Sequence, residues 1–165
     1  MRLFIGFKLA DAAIKKIKNY YNYFYSENVK GNYTDLNNLH LTLAFLGEVP
    51  EDKISELITI IQNINLSLDD MIITGFVSLK DMLIAKVKLT DALNSVYLNL
   101  NKSLKIHHFN FDEKSFFPHI TLIRKVTGLN SNVLRNDVNI ISPINKISLF
   151  ESKRINGILI YKELN

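Results

Sequence analysis

Two spacings of hydrophobic residues divide the chain into predicted strands and predicted helices. Apolar residues that alternate with other residues are typical of a strand, and apolar residues three or four positions apart are typical of an amphipathic helix. Residues 2–9 show the first spacing, with Leu3, Ile5 and Phe7 on one face. The same pattern predicts strands at 39–45, 71–79, 82–89, 118–124, 146–150 and 158–163. Strands 71–79 and 82–89 are close enough to form a hairpin through Lys80 and Asp81.

The helical spacing predicts three helices between these strands. Asp11 is expected to cap a helix that ends near Ser26, and Asp91 is expected to cap the third helix. Pro50 is expected in or near the first turn of the second helix. The buried stripes are predicted to be Ile14, Ile17, Tyr21 and Phe24; Ile54, Leu57, Ile58 and Ile61; and Leu93, Val96, Tyr97, Leu100 and Leu104. A turn is predicted at Gly31 and Asn32, and a short helix at 130–135.

One short pattern occurs twice, once in each half of the chain. It is His40-Leu41-Thr42-Leu43 in the first half and His119-Ile120-Thr121-Leu122 in the second. On a strand, alternate side chains point to the same face. Each copy therefore presents an imidazole and a hydroxyl on one face and two apolar anchors on the other. Two such strands, facing one another, would surround a cleft with two imidazoles and two hydroxyls.

Paired imidazoles and hydroxyls suit hydrolysis of a phosphodiester. Histidine, with an ordinary pKa of about 6.5, accepts or donates a proton near neutrality. One of the pair His40 and His119 can therefore serve as the base and the other as the acid. The hydroxyls of Thr42 and Thr121 can bond the phosphate oxygens without adding charge. Such a site needs no metal or other cofactor, provided that the substrate carries a hydroxyl beside the phosphorus.

A purely structural role or a metal-binding role for these histidines is less well supported. A single His-x-Thr in a strand is usually structural, but two copies on separate strands favour a site. The sequence has four histidines, and neither motif histidine has Asp or Glu at ligand spacing, so no metal site is predicted. His107 and His108 are adjacent and point in different directions, so they are expected to be exposed and a poor chelate.

Composition limits the class of protein without identifying it. The 165 residues suit a single domain, and 47% hydrophobic residues exclude a disordered chain. No cysteine is present, which excludes disulfides and thiolate sites. No apolar run approaches the roughly 20 residues of a membrane span, so a cytoplasmic protein is expected. It is also expected to be a monomer. The net charge of +4 permits an anionic partner.

At the two motifs the sequence resembles the 2H phosphoesterase superfamily, and within it the RNA 2′,3′-cyclic phosphodiesterases once called 2′-5′ RNA ligases. The resemblance covers nearly the whole chain. It is carried by the segments 1–5, 38–49, 117–124 and 149–152. It implies an α+β fold in which residues 1–165 form one two-lobed domain. Two pseudo-symmetric antiparallel sheets would carry helices on their outer faces and the motifs in a central cleft.

The resemblance also implies a reaction and a role for each motif residue. The substrate would be an RNA or nucleotide end with a 2′,3′-cyclic phosphate, opened to a 2′-phosphate. His119 would activate water, His40 would protonate the departing 3′ oxygen, and Thr42 and Thr121 would bind the phosphate. Arg124 matches a basic position of the second motif. Simple alternation places it on the face opposite His119, so a bulge or twist must re-aim it.

Several alternatives remain open at this point. Relatives often carry Trp and Pro before the first motif, where this chain has Tyr33, Asp35 and Leu36, and these positions affect which RNA end is accepted. The same four residues would serve a phosphodiesterase for 2′-5′ oligoadenylates or a 2′-5′ RNA ligase. A non-catalytic RNA- or nucleotide-binding module is the alternative from another class, although binding does not require two proton-transfer groups.

Overall fold

A computed structural model describes residues 1–67 and 70–165 of the chain. Over these residues three α-helices form: α1 (Asp11–Ser26), α2 (Ile54–Gln62) and α3 (Asp91–Ile106). Short 3-10 turns span Leu36–Asn38 and Glu51–Lys53. The strands are β1 (Arg2–Lys8), β2 (Lys30–Tyr33), β3 (His40–Glu48), β4 (Asp70–Leu79), β5 (Met82–Val87), β6 (His119–Thr127), β7 (Ile140–Pro143), β8 (Ser148–Ile155) and β9 (Ile158–Glu163).

The strands form a curled antiparallel sheet with two halves. Its order is β7-β4-β5-β6-β3-β1-β8-β9, and β2 also pairs with β6. The two motif strands, β3 and β6, meet in the middle, where Leu41 pairs with Ile120. From there β3 continues along β1, and β6 continues along β5 and β2. The α+β class and its two antiparallel halves confirm the fold predicted from the sequence.

Aromatic packing attaches the first helix to β4, in the half of the sheet that contains β6. The rings of Tyr20 and Phe24 on α1 lie 4.6 and 5.3 Å from the ring of Phe76 on β4, centroid to centroid. Phe24 and Phe76 are fully buried. The second helix instead contacts β8, in the half that contains β3. The chain therefore crosses between the halves, and one hydrophobic core extends under both.

Both helix caps differ from the prediction by one residue. Thr90 is the N-cap of α3, and its Oγ1 accepts a hydrogen bond of 3.1 Å from the amide of Leu93. Ala10 precedes α1 and makes no side-chain cap. Asp11 and Asp91 instead lie in the first turns, where a carboxylate interacts favourably with the helix dipole. The error arose because Asp suits both positions.

Several loops and strand ends also differ from the prediction. Gly31 and Asn32 lie within β2, whose short polar sequence gives no alternation to detect. The predicted helix at 130–135 is a turn instead, and its Arg135 pairs with Phe76 through two backbone hydrogen bonds of 2.8 and 3.1 Å. The sequence pattern missed the four-residue β7. The eighth strand starts at Ser148, two residues later than predicted, and extends to Ile155 because polar residues continue its pairing with β9.

Candidate active site

The two motifs lie side by side where β3 and β6 meet. His40 and His119 are the first residues of their strands, immediately before the paired Leu41 and Ile120. In an antiparallel pair, the residue after one partner faces the residue before the other. Continuing this register sets His40 opposite Thr121 and Thr42 opposite His119. His40 is close enough to His119 and Arg124 for their charges to affect its pKa, and the continued register sets the two threonines at the same junction.

Each motif histidine is oriented by the backbone carbonyl two residues before it. The Nδ1 atom of His40 lies 2.7 Å from the oxygen of Asn38, and that of His119 lies 2.7 Å from the oxygen of Phe117. A carbonyl oxygen can only accept, so Nδ1 is the donor in both rings. The proton of each neutral imidazole is therefore held at Nδ1, and Nε2 remains as the atom that can exchange a proton with a ligand.

Aromatic side chains surround His40. The ring centroids of Phe4 and Tyr161 lie 4.6 and 5.0 Å from the His40 centroid, and Tyr161 meets the imidazole edge to face. Burial lowers the pKa of His40 to about 4. The positive charge of Arg124 adds to this effect, and so does His119 whenever its own imidazole is protonated. The hydrogen bond to the Asn38 carbonyl acts in the opposite direction. Without a ligand, His40 is therefore a neutral imidazole near pH 7.

A β-bulge follows the threonine of each motif. Along β6 the register with β5 shifts after Thr121, so Leu122 is the extra residue. Along β3 the register with β1 shifts after Thr42, so Leu43 is the extra residue. Each bulge reverses the alternation beyond it. Arg124 pairs with Met82 and so shares the face of His119 and Thr121. The bulge is thus the feature that the sequence pattern required to turn Arg124 to this face.

The first motif has an aromatic residue where the second has Arg124. Phe45 stands three residues after Thr42 and pairs with Phe4, on the face of His40. The guanidinium of Arg2 lies 5.2 Å from the Phe45 ring centroid, within cation–π range. The two halves of the site therefore differ: one has an exposed arginine on the face of its histidine, and the other has aromatic rings there.

Sequence reasoning missed Asn38 as a site residue. Its side-chain Nδ2 donates to the oxygen of Leu159 at 2.8 Å, and its Oδ1 accepts from the amide of Tyr161 at 3.2 Å. The amide group therefore binds the backbone of β9 and positions Tyr161 against His40. No spacing in the sequence indicates this, because 121 and 123 positions separate the bonded residues.

The other two histidines lie away from the motifs. His107 and His108 are exposed, as predicted, and they border a cavity of about 550 Å³ with Leu46, Glu48 and Pro50. His107 Nδ1 lies 3.1 Å from Glu56 Oε1. Within residues 1–67 and 70–165, no three His, Asp or Glu side chains are grouped to hold a metal ion. No helix in this part of the chain is long and apolar enough to cross a membrane.

Comparison with known proteins gives the class that this fold and site define. The sequence model of the LigT-like phosphoesterases matches residues 8–87. A Thermotoga maritima protein named RNA 2′,3′-cyclic phosphodiesterase is 32% identical over 131 residues, which cover 75% of this chain and 70% of that protein. The chain belongs to the LigT-like phosphoesterase family, and it is thus an enzyme of phosphoester chemistry.

Solved structures show the same fold. Escherichia coli LigT complexed with 3′-AMP superposes with a TM-score of 0.86 at 22% identity, covering 99% of this chain and 95% of that one. A Thermus thermophilus protein superposes with a TM-score of 0.76 at 22% identity, covering 100% of this chain and 96% of that one. At these identities the likeness concerns the fold.

Proposed function

We propose that the protein hydrolyses the 2′,3′-cyclic phosphate at an RNA end to a 2′-phosphate, without a metal, through His40 and His119. The observation that carries this proposal is the matched pair of imidazoles, each with Nδ1 bonded to a carbonyl and Nε2 available. The Thermotoga maritima relative, by its name, acts on such RNA ends. The Escherichia coli relative binds 3′-AMP in its crystal.

In the proposed reaction one proton enters and one leaves through the two Nε2 atoms. His119 Nε2 takes a proton from water, and the water oxygen bonds to phosphorus. The bond from phosphorus to the 3′ oxygen breaks, and His40 Nε2 gives that oxygen a proton. Thr42, Thr121 and Arg124 bind the phosphate oxygens and stabilise their negative charge in the transition state. The product is a 2′-phosphate with a free 3′ hydroxyl.

The low pKa of His40 defines when it can serve as the acid. Without substrate it carries no proton at Nε2 near pH 7, because burial and the neighbouring positive charge of Arg124 disfavour the imidazolium. A bound phosphate brings a negative charge to the same place and favours the imidazolium. His40 therefore takes up its proton as the substrate binds, and the acid is made only in the complex.

The test uses adenosine 2′,3′-cyclic phosphate with EDTA and identifies the product by phosphorus NMR. Wild type is expected to give the 2′-phosphate, and His40→Ala and His119→Ala are each expected to lower kcat about 10²–10⁴-fold. The exposed His108→Ala is the control and should retain activity. A 3′-phosphate product would show that the 2′ oxygen leaves phosphorus instead of the 3′ oxygen. Loss of activity in EDTA, or binding of 2′-5′ oligonucleotides without turnover, would contradict the proposal.

A substrate with sulfur at the 3′ bridging position separates the two histidines. A thiolate leaves without protonation, so the acid becomes dispensable and the base does not. His40→Ala is therefore expected to recover most of the wild-type rate on this substrate, and His119→Ala is not. Recovery by His119→Ala instead would exchange the two roles.

A further inference from the structure

A groove of about 370 Å³ opens beside the two motifs. It lies between the β2 end of one half and the β8–β9 hairpin of the other. Its lining includes Tyr33, Thr34, Arg124, Arg154, Ile158 and Tyr161. Neither motif histidine lines it, and its volume falls within the usual range of ligand sites. The groove is therefore a space distinct from the junction of the motifs, although it is adjacent to them.

Two residues connect the groove with the proposed catalytic site. Tyr161 lines the groove, and its ring meets the ring of His40 at 5.0 Å. Arg124 also lines the groove, and its charge contributes to the low pKa of His40. In the proposed reaction the 3′ oxygen departs towards His40, so the ribose lies on the His40 side of the phosphate. The terminal nucleoside is thereby directed to the side where the groove begins.

Arg154 gives the groove a second cation. The side chain is exposed, and its Nη1 donates to the oxygen of Gly157 at 2.9 Å. This bond spans the Asn156–Gly157 turn, where both residues have positive φ, of 49° and 80°. Such a two-residue turn matches the twist of its strands. The hydrogen bond to Gly157 uses one of the five N–H donors of the guanidinium. It therefore orients Arg154 and leaves the other donors able to bind a phosphate.

The remaining lining suits a nucleoside. Ile158 has 65% of its surface exposed and offers an apolar contact, and the ring of Tyr33 stiffens the opposite wall by stacking on Tyr25 at 4.3 Å. Thr34 Oγ1 is buried and has no hydrogen-bond partner within the described residues. Asp35 also lines the groove, and its Oδ1 accepts from the amide of Asn37 at 2.8 Å. Apolar surface, a hydroxyl and two arginines together favour a nucleotide chain.

We propose that this groove binds the RNA chain on the 5′ side of the cyclic phosphate. The terminal nucleoside lies along Tyr161 and Ile158, and Arg154 binds the phosphodiester that joins it to the preceding nucleotide. This inference rests on the proposed function and extends it: the substrate is the end of an RNA chain, and a mononucleotide fills only part of the site.

The test measures kcat/KM on three substrates that share the same cyclic end. They are adenosine 2′,3′-cyclic phosphate, the dinucleotide ApA with that end, and the same dinucleotide with an uncharged methylphosphonate linkage. Wild type is expected to prefer the charged dinucleotide about tenfold over the other two, as one charge-assisted contact implies. Arg154→Gln is expected to lower this ratio to near one. Lys162→Gln removes an exposed charge from the same hairpin, next to Tyr161 and on the other face, and should leave the ratio unchanged.

Two results would overturn the groove assignment while leaving the proposed function intact. One is a wild-type enzyme that cleaves all three substrates equally, and the other is an Arg154→Gln variant that keeps the wild-type ratio. Absence of turnover on every substrate would contradict the proposed function itself. In that case calorimetry measures the binding of ApA 2′-phosphate and adenosine 2′-phosphate to the same proteins. Tighter binding of ApA 2′-phosphate by wild type, lost in Arg154→Gln, supports the groove assignment. Equal affinities of wild type for the two ligands overturn it.

Discussion

At the scale of single residues, the site depends on how the backbone holds two imidazoles. His40 and His119 use the same contact, an Nδ1 bond of 2.7 Å to the carbonyl two residues earlier. Their surroundings differ, because Phe4, Phe150 and Tyr161 surround the His40 ring, whereas Phe117 lies near the ring of His119. One local geometry therefore holds two imidazoles in unequal environments, as the acid and base roles proposed for them require.

The low pKa of His40 makes stability depend on pH in a predictable direction. The folded state holds His40 neutral down to about pH 4, whereas an unfolded histidine is protonated below about pH 6.5. Between these values the unfolded state binds more protons, so the stabilisation is complete above pH 6.5 and is lost as the pH falls towards 4. The free energy of unfolding of wild type relative to His40→Gln should fall by about 2–3 kcal/mol over this window.

Urea denaturation of both proteins at pH 4 and pH 7 measures this difference. Because the two proteins share their carboxylates, the contribution of these groups to the pH dependence of stability cancels in the comparison. His108→Gln, at an exposed position, controls for the loss of an imidazole as such. A difference between wild type and His40→Gln that stays constant with pH would show that His40 titrates alike in both states.

At the scale of elements, two bulges and one close contact between strands shape the candidate site. The bulges at Leu43 and Leu122 follow the two threonines and re-aim Phe45 and Arg124 towards the site. β1 supports the first motif closely, because Gly6 pairs with Thr42 and a Cβ at Gly6 would collide with the carbonyl oxygen of Leu41. The same Leu41 joins β3 to β6. The position of β1 therefore controls the junction of the two motifs.

Replacing Gly6 by alanine is expected to displace β1 from β3 and misplace His40 and Thr42. We expect a loss of about 1–3 kcal/mol in stability and a fall in kcat on the order of tenfold to a hundredfold. Gly47→Ala is the matched control on the same strand pair. At φ +68° it is strained, but within the described residues no atom other than those of Gly47 and its two chain neighbours lies within 4 Å of its new Cβ.

Urea denaturation and steady-state kinetics on the cyclic phosphate report the two effects separately. Gly47→Ala should lose about 1–2 kcal/mol from its left-handed backbone and keep its kcat, because Gly47 lies far along β3 from His40. Equal kcat values for the two variants would show that the β1–β3 contact at Gly6 does not position the site.

At the scale of the whole molecule, the two halves of the sheet share one core. The first helix follows β1 in the chain but packs on β4, through Tyr20 and Phe24 against Phe76. The core residues Leu41 and Ile120, at the junction, are fully buried. Because neither half can keep these contacts alone, we expect one cooperative unfolding unit over residues 1–165, as the single-domain prediction requires.

Truncating Phe76 tests this expectation. Phe76→Ala should cost about 3–5 kcal/mol, and the loss should appear equally in β1 and β5, although Phe76 lies on β4. Hydrogen exchange of the amides in those strands measures their opening free energies separately. The exposed Ile141→Ala on β7 is the control for an apolar truncation outside the core. A loss confined to β4, β5 and β7 would show that the halves unfold independently.

The sequence by itself predicted most of the elements and indicated a candidate chemistry. Alternation and helical spacing depend on neighbours a few positions apart, so they predicted the three helices, the motif strands and the side chains on each face. The spacing failed at β2 and β7, where four residues are too few to show a period, and at the helix caps, where Asp suits two positions. The repeated His-x-Thr indicated the candidate site because it is itself a local pattern.

Only the tertiary structure decided how these local pieces meet. The pairing of Leu41 with Ile120 joins residues 79 positions apart and brings the two motif strands to one junction. The burial of His40 depends on Phe4, Phe150 and Tyr161, which come from three other strands. The hydrogen bonds between Asn38 and β9 and the groove beside Tyr161 also join segments that are distant in the sequence. These features arise from contacts between distant segments, and the energies of such contacts are set by packing, which no local pattern encodes.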